Sequence, residues 1–455
     1  MNVFGLTRLR GSSLGARALR SSIWTTGAFM ASQVIRLGGN LVLTRLLFPE
    51  AFGLMALVAV IMQGLANFSD TGVLQSVMQS KRGEDPRFLD TAFTIQAIRG
   101  VLLWGAACLL AWPLALVFDA ALLTWLLPVA AFSLVVLGFT PMRSATAHRH
   151  LLIGRVAGLE LAGQVLGLVA GIALAWVTGS VWALAISGII GAVAHVWLNW
   201  RYLPGHRERL RWNASAAREL TSFGKWIFLS TIFGFLTAQG DRILIGRALA
   251  LGAFGVYNIG YFLASFPMML GKMVAGKVLI PIYREAPPAE SRDNFLKLRR
   301  MRALVSGGLI ALVALLGVIG IEVVGLLYDD RYADAGPVTV LMAVMWIPHI
   351  LTLTYDPAAL ARGDSRSFCL LMAGRAVAVL GAVALGLELA GLPGAIVGQG
   401  VAGVLIYPGE VWLSRRAGAW DPLHDATFGA LGLAVGAGVI WLHGPAIAAL
   451  AAATM

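Results

Sequence analysis

Charge is what this sequence has least of: 13% of its 455 residues are charged, against about 25% in a typical soluble domain. With 58% hydrophobic residues and a mean hydropathy of +0.79, the scarcity excludes a soluble fold. Acids are scarcer than bases, 23 against 35. Such an excess would suggest nucleic-acid binding if it formed a stripe on a polar domain. No polar domain exists, so no nucleic-acid partner is expected. Cysteine is nearly absent: Cys108 and Cys369 both lie inside apolar stretches, which excludes a disulfide framework or a thiolate metal cluster. Long polar gaps are missing too, leaving no room for an ATPase module or an external catalytic domain. No nucleophile has an adjacent base, so the chain is not expected to be an enzyme or to need a cofactor or metal.

Three short patterns are set aside. Gly271, Gly276 and Lys277 approximate a phosphate-binding loop, but Val278 stands where Ser or Thr must meet magnesium. The sequon at Asn213–Ser215 falls in a basic gap of the kind retained inside the cell. His148 and His150 flank Arg149 with no further ligands in reach.

What is present is a long series of apolar segments of spanning length, about 20 residues or more. Six fall at 22–47, 52–79, 89–118, 121–146, 152–178 and 180–201, and six more at 222–249, 252–282, 302–328, 337–361, 367–390 and 393–414. A final pair falls at 424–442 and 444–455. The first is too long for a signal-peptide core and follows a segment carrying Arg8, Arg10, Arg17 and Arg20 without an acid. The reading is an all-α integral membrane protein. Its parts are a basic cytoplasmic N-terminal segment (1–21), a six-helix lobe (22–202), a cytoplasmic linker (203–221), a second six-helix lobe (222–416) and a C-terminal helix pair (417–455).

Basic residues crowd the gaps after even-numbered segments, for example Lys81, Arg82 and Arg87, or Arg207, Arg209 and Arg211. The gap holding Asp329, Asp330 and Asp334 is acidic. By the positive-inside rule every gap agrees with one threading, N-terminus cytoplasmic. An internal repeat supports two parallel halves: Arg45, Leu47, Ala51, Phe52 and Gly53 recur 202 residues later as Arg247, Leu249, Ala253, Phe254 and Gly255. In transporters such repeats place the substrate path between the halves.

Polar residues inside the spans are the site candidates, because a charge at mid-membrane costs roughly 2.5–3.5 kcal/mol. The first span carries Gln33, Arg36, Asn40 and Thr44 on one face, and its repeat counterpart carries Ser230, Gly234, Thr237 and Asp241, then Arg242. Arg99 and Arg375 lie deep in their spans. Arg36, Asn40, Arg99, Asp241, Arg242 and Arg375 are the candidate lining of a substrate cavity, and Asp70 is the candidate for ion coupling. Guanidinium groups would suit a diphosphate. The alternative is that these arginines are structural, paired with Asp70, Asp241 or carbonyls, Asp241 with Arg242 above all. Lys272 reads as snorkelling to an interface, His349 as a packed core histidine, and Glu160, Glu322, Asp356 and Glu410 as partly solvated near helix ends.

The segment LTRLLFPEAFG at 43–53, GVLQSVMQ at 72–79, VWAL at 181–184, LTSFGKW at 220–226, DRILIGR at 241–247 and GAFGVYN at 252–258 together resemble polysaccharide-biosynthesis flippases. This is the O-antigen and exopolysaccharide branch of the multidrug/oligosaccharidyl-lipid/polysaccharide exporter superfamily, and the similarity extends to about residue 415. It implies a MATE-like fold, two parallel six-helix bundles around a central cationic cavity, working by alternating access in a bacterial inner membrane. It implies a polyprenyl-diphosphate-linked oligosaccharide as cargo for lipopolysaccharide, capsule or exopolysaccharide. Membrane lipid, glycosyltransferases and a polymerase are the implied partners. Asp241 and Arg247 fall within the matched motif. A cation-coupled multidrug exporter of the same superfamily, or a membrane-embedded polymerase or ligase, are the alternatives.

Overall fold

Hydrocarbon offers a backbone no hydrogen bonds, so a chain this apolar must satisfy its own amides locally, and helices do that. The computed structural model describes residues 14–69, 72–150, 152–222, 225–356 and 365–454, and these are helical nearly throughout. Among them eight helices are long and apolar enough to cross a membrane, or up to ten if two bent pairs each count as one span. Two long helices fall outside that set, α1 (Leu14–Leu46) and α10 (Lys225–Ala248), which carry the two polar stripes.

The described chain divides into two units, 1–47 with 58–228, and 48–57 with 229–455. The first contains α1, most of α2 (Pro49–Phe68), α3 (Val73–Gln79), α4 (Pro86–Val117), α5 (Leu123–Gly138), α6 (Arg143–Arg149), α7 (Ile153–Thr178), α8 (Trp182–Tyr202) and α9 (Ala214–Ser222). Asp85 caps α4 by accepting the Arg87 N–H at 3.0 Å, with Pro86 at the first helical position. The expected span at 121–146 breaks at 139–142, beside Pro141, and its halves, α5 and α6, diverge by 59°. The helix α7 packs on α1 and α8, with Gly167 set against Gly191, the small-residue contact by which helices associate without a hydrophobic drive. Asn213 does have a structural use: its Oδ1 accepts the Ser215 and Ala216 N–H groups at 3.1 and 3.0 Å and starts α9.

The second unit contains α10, α11 (Leu251–Ala264), α12 (Phe266–Val274), a wide π turn (Ala275–Leu279), α13 (Ile280–Glu285), α14 (Arg292–Leu327), α15 (Ala335–Met345), α16 (Ile347–Thr352), α17 (Ser365–Arg416) and α18 (Pro422–Thr454). The expected single span at 252–282 is instead α11 and α12, bent by 44°, followed by the π turn and α13; Pro267 removes a helical donor at the first break. The helix α14 begins ten residues before the expected start, because Ser291 caps it by accepting the Asn294 N–H at 3.1 Å. Charged side chains on its extra turns need no hydrocarbon. The helix α17 is a hairpin: at Ala390–Gly391 the chain reverses, Gly391 taking φ 58°, where the sequence places the gap between two spans. Its arms, 365–389 and 392–416, pack so closely that a Cβ on Gly398 would strike the Ala382 carbonyl. The helix α18 breaks at His443, two residues before Pro445, also at an expected gap.

A buried polar network fastens the start of α18 to α14 and α17. Arg302 is 1% exposed. Its Nε donates to Thr354 Oγ1 at 2.9 Å, its Nη1 to the Ala419 carbonyl at 3.1 Å and its Nη2 to Asp425 Oδ1 at 3.4 Å, while Tyr355 stacks 4.0 Å from the guanidinium. Tyr355 and Tyr407 donate to Asp425 Oδ2 at 2.7 and 2.8 Å. Just before α18, Asp421 accepts a fork from Arg299, Nε at 2.5 Å and Nη2 at 2.8 Å.

Two predictions follow from this packing. Gly398→Ala should destabilise the protein by about 1–3 kcal/mol through overpacking of the hairpin, read as a lower thermal midpoint in detergent. For Asp421, burial is the largest influence and raises the pKa, but the Arg299 and His424 hydrogen bonds and the charges of Arg299 and Arg302 together outweigh it, so the carboxyl titrates below its ordinary 3.8. A depressed folded pKa stabilises above the unfolded value and that gain fades as pH falls through the folded one. Asp421→Asn should therefore be less stable than wild type at pH 7, the gap closing below about pH 4 in pH-dependent melting.

Candidate functional site

The second unit contains a cavity of about 420 Å³ walled by α10, α11, α12, α16 with its flanking residues, and both arms of α17. Its wall is mostly apolar but carries a set of charged and amide side chains. Asp241 of α10 is 4% exposed; its Oδ2 accepts the Tyr257 hydroxyl at 3.0 Å and Gln399 Nε2 at 2.9 Å. Its Oδ1, equally buried, has no hydrogen-bond partner among the described residues. Tyr257, one helix along on α11, is fully buried, so its hydroxyl needs this acceptor. The Gln399 carbonyl in turn lies 3.0 Å from His349 Nε2, which fixes the proton on that nitrogen, and the imidazole sits edge-on to Trp346 at 5.4 Å.

The opposite part of the wall holds an ion cluster. Arg375 on the first arm of α17 donates to Asp356 through Nη2 at 2.6 Å and Nη1 at 3.2 Å. Its Nε donates to Glu410 on the second arm at 2.6 Å, and Nη2 also meets Glu410. Two carboxylates thus enclose one guanidinium, the arrangement that makes a buried charge tolerable. Lys272 of α12, an exposed residue, also lines the cavity and adds a basic group. Lys272 and Arg375 face Asp241 and Asp356, so the lining carries both signs rather than positive charge alone.

The expected site residues fall in different places. Asp241 and Arg375 line this cavity together. Arg242 does not pair with Asp241: it stacks 4.0 Å from the Tyr261 ring and donates to Gln239 Oε1 at 3.1 Å. Arg99 belongs to the first unit, where Nε donates to Ser69 Oγ at 2.8 Å and Nη2 to the Ala66 carbonyl at 2.6 Å, capping the end of α2. Arg36 is exposed on α1, and the Asn40 carbonyl accepts the Thr44 hydroxyl at 2.8 Å. Asp70 lies outside the described residues. Sequence reasoning passed over Gln399 and Tyr257. Gln399 was the findable one, an amide alone in the apolar run 395–404.

A chain of apolar helices with a charged, water-accessible chamber inside one unit is a multi-pass membrane protein of the transporter class. Its fold is shared with solved structures of that class: the lipid II flippase MurJ in an inward closed conformation (TM-score 0.69, 11% identity, 92% of each chain) and an inward-facing MATE family multidrug resistance transporter (TM-score 0.63, 14% identity, 85% of this chain and 95% of that one). The profile of the polysaccharide biosynthesis protein family matches residues 42–337, and the chain belongs to that family. Similar curated proteins include the lipopolysaccharide biosynthesis protein WzxC of Escherichia coli, 24% identical over 73% of this chain and 68% of that protein. The succinoglycan biosynthesis transport protein ExoT of Rhizobium meliloti is 24% identical over 83% of this chain and 76% of its own length.

The ion cluster generates a prediction that separates its members. Arg375→Met alone should cost about 3–5 kcal/mol, because it leaves two carboxylates without their cation. Adding Glu410→Gln should recover part of that loss, measured as thermal midpoints of the purified variants in detergent.

Proposed function

We propose that the protein is a flippase that carries polyprenyl-diphosphate-linked oligosaccharide units across the bacterial cytoplasmic membrane by alternating access, for lipopolysaccharide, capsule or exopolysaccharide assembly. The observation that carries this reading is the mixed-charge cavity buried in the second unit of a polysaccharide biosynthesis family chain. A hydrated sugar headgroup cannot enter hydrocarbon without replacing its water contacts, and Asp241, Gln399, His349 and Lys272 offer acceptors and donors on one wall. Carboxylate and amide groups are suited to sugar hydroxyls, and the Lys272 ammonium to phosphate. The polyprenyl tail stays in lipid throughout. In the first unit, the Arg36 and Asn40 stripe is the candidate for headgroup contact. The N-terminus is assigned to the cytoplasm, and glycosyltransferases that build the unit and a polymerase that consumes it are the expected functional partners. No covalent step is required of the protein.

A second reading, export of cationic drugs with ion coupling, is favoured by one feature: Asp241 keeps a buried carboxylate oxygen without a donor among the described residues. Proteoliposomes distinguish the two. A fluorescent polyprenyl-diphosphate oligosaccharide should change sidedness in a protein-dependent way, whereas cationic dyes should not be transported. Asp241→Asn, close in shape, should slow that movement by about tenfold or more, equivalent to roughly 1.4 kcal/mol. Dye export without any movement of the lipid-linked sugar would replace the first reading by the second.

A further inference from the structure

The segment that follows α8, residues 201–213, has a division of labour that transport does not explain. Its one acid and its one histidine face the protein. Glu208, 6% exposed, accepts the Arg143 N–H at 3.0 Å, and Arg143 itself donates to the carbonyls of His206 at 2.8 Å and of Trp200 and Leu203 at 3.1 Å each. His206 Nε2 lies 2.9 Å from Asp90 of α4. Backbone N–H groups then tie the strap along α4: Arg209 to Asp90 at 3.0 Å, Arg211 to the Thr94 hydroxyl at 2.9 Å, Asn213 to the Thr91 hydroxyl at 3.2 Å. Every buried anchor is spent on holding this backbone down.

The outward side is the opposite in character. Arg207, Arg209 and Arg211 are exposed, and their guanidinium groups have no hydrogen bond or ion pair among the described residues. Between and beside them stand exposed apolar groups, Leu210 at 62%, Trp212 at 61% and Tyr202 at 51%, with Arg201 stacked 5.4 Å from the Tyr202 ring. The strap also runs at a definite depth. With 32 residues, α4 is about 48 Å long, some 18 Å more than a hydrocarbon core of about 30 Å. That excess is long enough to hold its first turns, where Asp90, Thr91 and Thr94 fasten the strap. Arginines interleaved with Trp, Tyr and Leu at headgroup level fit an anionic bilayer surface: the rings and Leu seat among headgroups and acyl ends while the guanidinium groups meet phosphate.

We propose that residues 201–213 form a preorganised binding strap for anionic phospholipid headgroups of the adjoining leaflet. Because the backbone is already fixed, binding orders only side chains, which keeps the entropic cost low. The site stands whether or not the cargo reading holds, since it uses none of the cavity residues.

The test is native mass spectrometry of the full-length protein released from micelles containing equal phosphatidylglycerol and phosphatidylcholine. Wild type should retain phosphatidylglycerol at least about fivefold over phosphatidylcholine at low salt, and the preference should collapse at high salt, where exposed charges are screened. The triple variant R207Q/R209Q/R211Q should fall to near parity. A control of equal charge loss on the second unit, R292Q/K297Q/R300Q, should keep the wild-type ratio. An unchanged ratio in the strap variant, an equal fall in both triples, or a wild-type preference indifferent to salt would each overturn the proposal. The salt series needs no variant, so a failure of the strap triple to fold leaves the question decidable.

Discussion

The fold is governed by the absence of water as a hydrogen-bond partner inside a bilayer, and the arginines show how it is met. Arg302 divides its donors among a hydroxyl, a carbonyl and a carboxylate while stacking on Tyr355; Arg375 is shared between Asp356 and Glu410. Both place a cation among apolar helices by giving each N–H an acceptor from another segment. Such clusters contribute little net stability, because desolvation cancels much of the attraction. What they do is specify. Only one packing of α14, α17 and α18 completes the Arg302 network, so the polar groups choose among many apolar arrangements of similar energy.

The same economy separates the two kinds of charged residue in the second unit. Where partners are complete, as around Arg302 and Asp425, the group is a fastener. Where one atom remains unmatched, as at Asp241 Oδ1, or where a charge faces open space, as at Lys272, the group has capacity left for something that arrives. That contrast assigns the cavity a different role from the network near α18, although both are polar and buried. Arg242 lies outside both, stacked on Tyr261 and bonded to the amide of Gln239, with its Nε unmatched among the described residues.

Much of the architecture was legible because hydropathy and helix breakers speak directly of spans. The turns at Gly391 and His443 fall at the expected gaps, and the apolar runs become the helices. The bends within 121–146 and 252–282 were not legible, since periodicity does not register a break that proline makes inside an otherwise continuous apolar run. For the site, depth in a span singled out Asp241 and Arg375, which line one cavity, but it could not say who their partners were. Asp356, Glu410 and Gln399 come from segments 19 to 158 residues distant from the groups they bind, and only the tertiary fold brings them there. Lys272 shows the same limit: its distance to a helix end is readable from sequence, whereas the chamber it lines is not.

The tightness of the α17 hairpin has a mechanical meaning. With Gly398 pressed on Ala382 and Arg375 bound to Glu410 across the arms, the two behave as one stiff lever. That lever carries both Arg375 and Gln399 into the chamber lining, so neither can swing without the other. Compliance must come from elsewhere, and the broken α11–α13 path, with its proline joint and widened π turn, is where the unit keeps its slack.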